Sequence, residues 1–396
     1  MKKIVFVLPH MLCGGVEKSL LSLINEMPKE DYKITILFVK AEGEFIDLIP
    51  NHVIYEELPI SDELKNDLML GGIKKSIKYH LKTRNWIKML KVIFNVIRKN
   101  PLATLTYNFD NLESVKETYD IAVCYHVHMP FIVRYVSEKI DAKTKLSWVH
   151  NDFENSGYKI QNIAKYMDGY NHCFCVSDQL LKEFTSLLPS FRDKTSIAYN
   201  IISKKYIMDL SKEIIEHEYK DDKNINILTI GRLDYQKGYD MAIKVCKNII
   251  DKGYKIRWFV LGSGEEEEKI LDLIKQYNLQ ENFILLGTRK NPYPYIRECD
   301  IYVQTSRHEG YGIAVAEARV LCKAIVCTDF TGARDQLINR KTGSIVRFEE
   351  NEIANAIIEL INNNEKKAFY ENNLLIERCN SKDDINEIIM NIDRWS

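Results

Sequence analysis

A chain of 396 residues is long enough for two domains of ordinary size, each with its own core. Its composition, 45% hydrophobic and 28% charged, is that of a soluble globular protein, and 55 basic against 56 acidic residues give no global attraction for nucleic acid. Nine cysteines with no C-x2-C pair fit buried thiols in a reducing cytoplasm; Cys173-Phe174-Cys175 has the wrong spacing for a zinc knuckle.

Met1-Lys2-Lys3 precedes an apolar run too short for a signal peptide, and no other stretch approaches the length of a membrane span. Ile4–Leu8 therefore reads as a strand. A loop with Gly14-Gly15 follows, then a helix from Val16 to Met27, which opens an α/β domain with its loop at the strand's carboxyl end. Lys33–Val39 and His52–Tyr55 read as the next strands. Between Ile73 and Pro101 the basic residues Lys74, Lys75, Lys78, Lys82, Arg84, Lys88, Lys91, Arg98 and Lys99 occur without an acidic one. Apolar residues from Ile73 to Ile97 recur there at spacings of three and four, which predicts a basic amphipathic helix or two. A solvated face over a core helix is the plain reading. Peripheral attachment of residues 73–100 to an anionic membrane surface is the sharper one, at about 1 kcal/mol per basic residue.

Tyr119–Tyr125 is predicted as a strand with His126 and His128 at its carboxyl end. No third metal ligand is evident nearby, so a structural or acceptor-site role suits that pair better. Lys145–Val149 is a strand ending in His150-Asn151-Asp152, and Cys173–Val176 and Ser196–Asn200 complete the first domain.

Ile225–Ile230 starts the second domain and runs into Gly231-Arg232-Leu233, with Lys237-Gly238 four residues on. Arg232 and Lys237 flank the turn between a strand and a helix start, where an anion is favoured. Hydrogen bonds to charged groups contribute roughly 1.5–3 kcal/mol each, so two such side chains offset a diphosphate without a metal. Trp258–Leu261 leads to Gly262-Ser263-Gly264 and four glutamates, which repel phosphate and mark a cleft wall rather than a cradle. Phe283–Leu286 is followed by Gly287-Thr288-Arg289. Asp300–Val303 is followed by Arg307–Ala318, a glycine loop and apolar helix. Glu309 lies in that loop and Glu317 is expected about two turns into the helix, both placed to accept hydrogen bonds from hydroxyls. From Glu349 to Ser396 the chain reads as helical.

Glu309-Gly310-Tyr311-Gly312 with Ala316-Glu317-Ala318 resembles the E-x7-E motif of retaining, nucleotide-sugar-dependent glycosyltransferases of family 4, which have the GT-B fold. G-R-L-x3-K-G is similar to that family's diphosphate-binding segment, Gly14-Gly15 to its glycine loop, and Trp148–Asp152 to its histidine motif. The likeness is strong over 225–345 and weaker over 1–200.

The resemblance implies an α/β GT-B fold. Residues 1–200 would form an acceptor-binding Rossmann-like domain, 201–375 a nucleotide-sugar-binding one, and 376–396 a helix crossing back to the first. It implies transfer of a sugar from a nucleoside diphosphate, with UDP the expected nucleotide, to a glycan or lipid-linked acceptor in cell-envelope or capsular polysaccharide synthesis. The site residues carried over are His150 near the transferred sugar, Arg232 and Lys237 on the leaving diphosphate, and Glu309 on sugar hydroxyls with the N–H groups of Tyr311 and Gly312. Gly14, Gly15, Gly231, Arg289 and Gly310 are placed around the donor, and Glu317 on its ribose. No D-x-D occurs in the chain, so no metal cofactor is expected, nor a nucleic-acid partner; the location expected is cytoplasmic, peripheral on the inner face of the plasma membrane. Two departures stand out: Ile313-Ala314-Val315 where many members have Leu-Pro, and Ile201-Ile202-Ser203 in place of Gly-Ile/Val-Asp.

A GT-B nucleotide-sugar epimerase and a non-catalytic GT-B partner subunit are the rival readings. A Rossmann dehydrogenase is disfavoured, since no G-x-G-x-x-G follows the first strand.

Overall fold

Strand propensity and helix periodicity alternate along the chain, and in the computed structural model they build two parallel sheets. It describes residues 1–69, 109–154, 159–215, 224–377 and 381–395, with positions 81, 86, 89 and 90. The first sheet contains β1 (Lys2–Leu8), β2 (Tyr32–Phe38), β3 (Ile54–Glu57), β4 (Tyr119–Cys124), β5 (Ala142–Val149), β6 (His172–Cys175) and β7 (Thr195–Ile197) in the order β3-β2-β1-β4-β5-β6-β7. The second contains β8 (Ile225–Ile230), β9 (Ile256–Leu261), β10 (Phe283–Leu285), β11 (Ile301–Gln304), β12 (Ile325–Thr328) and β13 (Ser344–Val346) in the order β10-β9-β8-β11-β12-β13. Each is a doubly wound sheet, so each has a crevice at the carboxyl ends of its strands where the order reverses, beside β1 and β4 in one lobe and β8 and β11 in the other.

The strands are apolar because helices cover both sheet faces. Ile4 to Leu8 are fully buried, as are Ile227, Leu228, Tyr302 and Val303. Each lobe has its own apolar cluster, yet Tyr311 and Ala316 of the second lobe pack into that of the first. The helix Gly15–Glu26 also packs against the helix Ile313–Val320. These contacts bring the glycine loop of one lobe and the E-x7-E loop of the other to a shared crevice.

Downstream of the helices Glu350–Asn362 and Asn364–Ile376, the helix Ser381–Arg394 lies on the first lobe. Its Ile388 and Ile392 join that lobe's core. Asp393 pairs with Lys2 at 3.0 Å, and Trp395 stacks on His172 with ring centroids 4.7 Å apart.

Residues 73–100 lie outside the described residues, apart from Leu81, Trp86, Met89 and Leu90, which are helical. Among the described residues no helix is long and apolar enough to cross a membrane.

Candidate active site

The loop after β8 holds its shape through Asp234. That residue caps the turn Tyr235–Lys237, accepting from the Lys237 N–H at 3.2 Å, and its carboxylate lies 3.3 Å from Arg232. A Cβ on Gly231 would stand 3.0 Å from Lys237 Cε, so the bare glycine leaves room for the lysine stem. The turn is sutured to the loop after β11. Arg307 N donates to the Gln236 carbonyl at 2.8 Å, and Gln236 Nε2 donates to that of His308 at 2.9 Å. The Arg307 guanidinium forks onto Asp240 at 2.7 and 2.9 Å and stacks over Tyr235 at 3.9 Å. That fork fixes Lys237 opposite Glu309.

Lys237 Nζ lies 3.0 Å from Glu309 Oε2, with both side chains largely buried. The other oxygen of Glu309 is set by a polar chain running back along β11. Tyr302 donates to Gln304 Oε1 at 2.7 Å, Gln304 Nε2 donates to Ser306 Oγ at 2.9 Å, and Ser306 donates to Glu309 Oε1. An amide N–H is a donor only, so it obliges the Ser306 hydroxyl to spend its proton on Glu309. Glu309 is thus held between a cation and a hydroxyl donor.

Gly310 lies against the first lobe. A Cβ there would overlap the His150 carbonyl oxygen, so only glycine fits. Gly312 has φ +83° and opens the helix at Ile313, with Gln336 donating to the carbonyls of Tyr311 and Gly312. Glu317 is therefore one turn into the helix rather than two, because the left-handed glycine delays the first helical residue to Ile313.

Glu317 is buried. Its Oε1 accepts from Lys18 of the first lobe at 2.7 Å and from Tyr293 at 3.1 Å. Gly14 and Gly15 stand at the start of the helix carrying Lys18; a Cβ on Gly15 would meet Ile313 at 3.6 Å, and one on Gly14 would collide with Glu17. Arg289, in the loop after β10, donates to the Tyr295 hydroxyl at 3.1 Å.

On the first lobe, His150 follows β5 and packs against Tyr125 with ring centroids 4.6 Å apart. Burial drives its pKa well below the usual imidazole value, reinforced by His126 and His128. Its Nε2 meets no hydrogen-bond partner among the described residues. His126, beyond β4, is likewise lowered by burial; Glu17 opposes the shift, while His10 and Arg232 add to it. The charge of Arg232 thus reaches a first-lobe histidine across the crevice. Neutral imidazoles facing a cationic turn suit a ligand with hydroxyls on one side and an anion on the other. Among the described residues, no group of three or more His, Cys, Asp or Glu is arranged to hold a metal ion.

Residues 211–374 match the family model described as glycosyl transferases group 1. That segment of the chain is similar to the group 1 glycosyl transferases. An uncharacterized glycosyltransferase of Methanocaldococcus jannaschii is 31% identical over 62% of the chain and 66% of that protein. The N-acetylgalactosamine-N,N'-diacetylbacillosaminyl-diphospho-undecaprenol 4-alpha-N-acetylgalactosaminyltransferase of Campylobacter jejuni is 29% identical over 45% of the chain and 47% of that protein. The chain thus spans about half to just under two thirds of these curated relatives. The crystal structure of Anabaena HepE in complex with UDP and glucose superposes with a TM-score of 0.76 over 100% of both chains at 16% identity, which shows a shared GT-B fold.

The chain brings Arg232, Lys237, Glu309, Gly310 and His150 to one crevice, with Glu317 bordering it beside Lys18. Arg289 faces Tyr295 on a separate loop. Sequence reasoning missed Gln304 and Ser306, whose signal was polar residues alternating with Tyr302 at the strand period. It also missed Lys18 and Tyr293, which carry no local signal.

Proposed function

We propose that the chain is a retaining glycosyltransferase that moves a sugar from a uridine diphosphate sugar to a hydroxyl of a glycan or lipid-linked acceptor, in cell-envelope or capsular polysaccharide synthesis. The observation that carries this reading is the Lys237–Glu309 pair at 3.0 Å, set where Gly310 touches the His150 backbone. In this reading the cation serves the diphosphate and the neighbouring carboxylate the sugar hydroxyls. The family-model match over residues 211–374 and the curated relatives named as glycosyltransferases support the same class.

In this reading Arg232 and Lys237 take up the negative charge that grows on the diphosphate as the bond from the anomeric carbon to its phosphate oxygen breaks. Fixed charges aimed at the place where charge develops usually lower the barrier more than any other single device. The acceptor oxygen bonds to the anomeric carbon on the face the diphosphate leaves, and its proton passes to a phosphate oxygen. Glu309 orients the sugar hydroxyls, His150 borders the sugar, and Glu317 accepts from the ribose. Gly14, Gly15, Gly231, Tyr311 and Gly312 bring backbone close to the donor, and Arg289 stands beside the base. Two fixed cations replace a divalent metal. Residues 1–200 would carry the acceptor, 201–375 the donor, and 376–396 would tie the lobes. The basic segment 73–100 would dock on an anionic membrane surface at the cytoplasmic face.

A thermal-shift screen of nucleoside diphosphates and nucleotide sugars in EDTA tests the donor assignment, because a ligand that binds the native state raises Tm by mass action. UDP and at least one UDP-sugar are expected to raise Tm while ADP does not. No shift with any uridine nucleotide would overturn the reading.

A further inference from the structure

Glu317 is 2% exposed and its two oxygens are treated differently. Oε1 accepts from two donors, Lys18 Nζ at 2.7 Å and the Tyr293 hydroxyl at 3.1 Å. Oε2 is buried with no hydrogen-bond partner among the described residues. A buried carboxylate oxygen left unpaired is costly, more so for a charged group. Lys18 already balances the carboxylate charge, so the missing partner is a neutral donor such as a hydroxyl, not a second cation.

Lys18 reaches this point from the opposite lobe. It lies in the first turn of the helix Gly15–Glu26, its ammonium 5.4 Å from the centre of the Tyr293 ring. A Cβ on Gly15 would be 3.6 Å from Ile313, so the two helix starts adjoin. Lys18 thereby fixes both the rotamer of Glu317 and the direction of its open oxygen.

We infer that Lys18 and Tyr293 are positioning residues that present the open oxygen of Glu317 to the ribose hydroxyls of the donor, so that discrimination between ribo- and deoxyribonucleotides depends on a side chain of the other lobe. This rests on the uridine nucleotide reading above. Were Lys18 only a tie between lobes, its removal would weaken all nucleotides alike.

Calorimetric titration of UDP, 2′-deoxy-UDP and 3′-deoxy-UDP into the full chain separates the cases. The wild type is expected to bind UDP at least tenfold more tightly than one of the deoxy analogues. Lys18→Met is expected to shrink that ratio below threefold, chiefly through loss of UDP affinity, and Lys18→Arg to restore it. Tyr293→Phe, which removes one hydroxyl and retains the ring, is expected to lower the ratio in the same direction, and it decides the matter if Lys18→Met does not fold. An unchanged ratio, a parallel loss for all three ligands, or no discrimination by the wild type would overturn the inference. If the wild type binds no uridine nucleotide, it is the function assignment that fails.

Discussion

Lys237 and Glu309 face each other at 3.0 Å, each largely withdrawn from solvent. A pair of this kind is worth little against a well-packed apolar substitute, but stranding one member is expensive, about 3–5 kcal/mol. Structure and activity therefore make separable demands on it. Lys237→Ala and Glu309→Ala are each expected to lower turnover at least tenfold and also to lower Tm. The double variant Lys237→Met with Glu309→Gln should recover much of the Tm and none of the turnover. Steady-state assays with donor consumption as readout, beside melting curves, check both halves.

The polar chain from Tyr302 to Glu309 gives a second test. Gln304→Leu takes away the donor that orients Ser306, which frees the serine proton to turn from Glu309 and leaves the buried Tyr302 hydroxyl without its acceptor. Affinity for a UDP-sugar is expected to fall several-fold while affinity for UDP stays within twofold, because Glu309 is assigned to the sugar alone. Titration of both ligands into one variant measures this.

Gly310 permits the lobes to touch. In Gly310→Ala the added methyl would collide with the His150 carbonyl, a backbone atom that cannot swing aside. The second lobe keeps its own diphosphate turn, so UDP should still bind, losing no more affinity than it does in Lys18→Met. Turnover should fall at least tenfold, because His150 and the first lobe are pushed off the sugar. Binding and turnover measured on the same preparation give the comparison.

Much of the second lobe can be read from the chain because its signals are local. The strand, Gly231-Arg232 and Lys237-Gly238 lie within one turn of chain, and Glu309 and Glu317 within one loop and helix. The spacing between them reports geometry directly. Glu317 sits a turn nearer the helix start than the spacing suggests, because Gly312, in the left-handed region, holds that start back to Ile313. Lys18 is illegible for another reason: its partner is 299 residues away. The seating of Ile388 and Ile392 in the first core is equally non-local; periodicity shows that a helix has an apolar face and not what covers it.

Buried histidines give a pH dependence with a definite sign. His172 is 3% exposed, and burial, with Arg394 adding to it, lowers its pKa to about 4. The unfolded chain, with an ordinary imidazole near 6.5, takes up the proton first. Stability from this group is therefore complete above about pH 6.5 and is lost as the pH falls toward 4. Glu183 and Asp335, whose carboxyls burial raises, act in the opposite sense. The readout is accordingly the difference between wild type and His172→Phe, not one curve. Between pH 7.5 and 5 the wild type should lose roughly 2 kcal/mol more than the variant, by denaturant titration.

The central claim is that fixed cations of the second lobe hold a diphosphate at the interlobe crevice. The most direct measurement is the ratio of UDP to uridine affinity, by calorimetry in EDTA, for wild type and for Arg232→Ala with Lys237→Ala. The account predicts a wild-type preference for UDP of at least a hundredfold that collapses below tenfold in the double variant, with uridine affinity little changed. A ratio that survives loss of both side chains, or a wild type that needs a divalent ion to bind UDP, would contradict it.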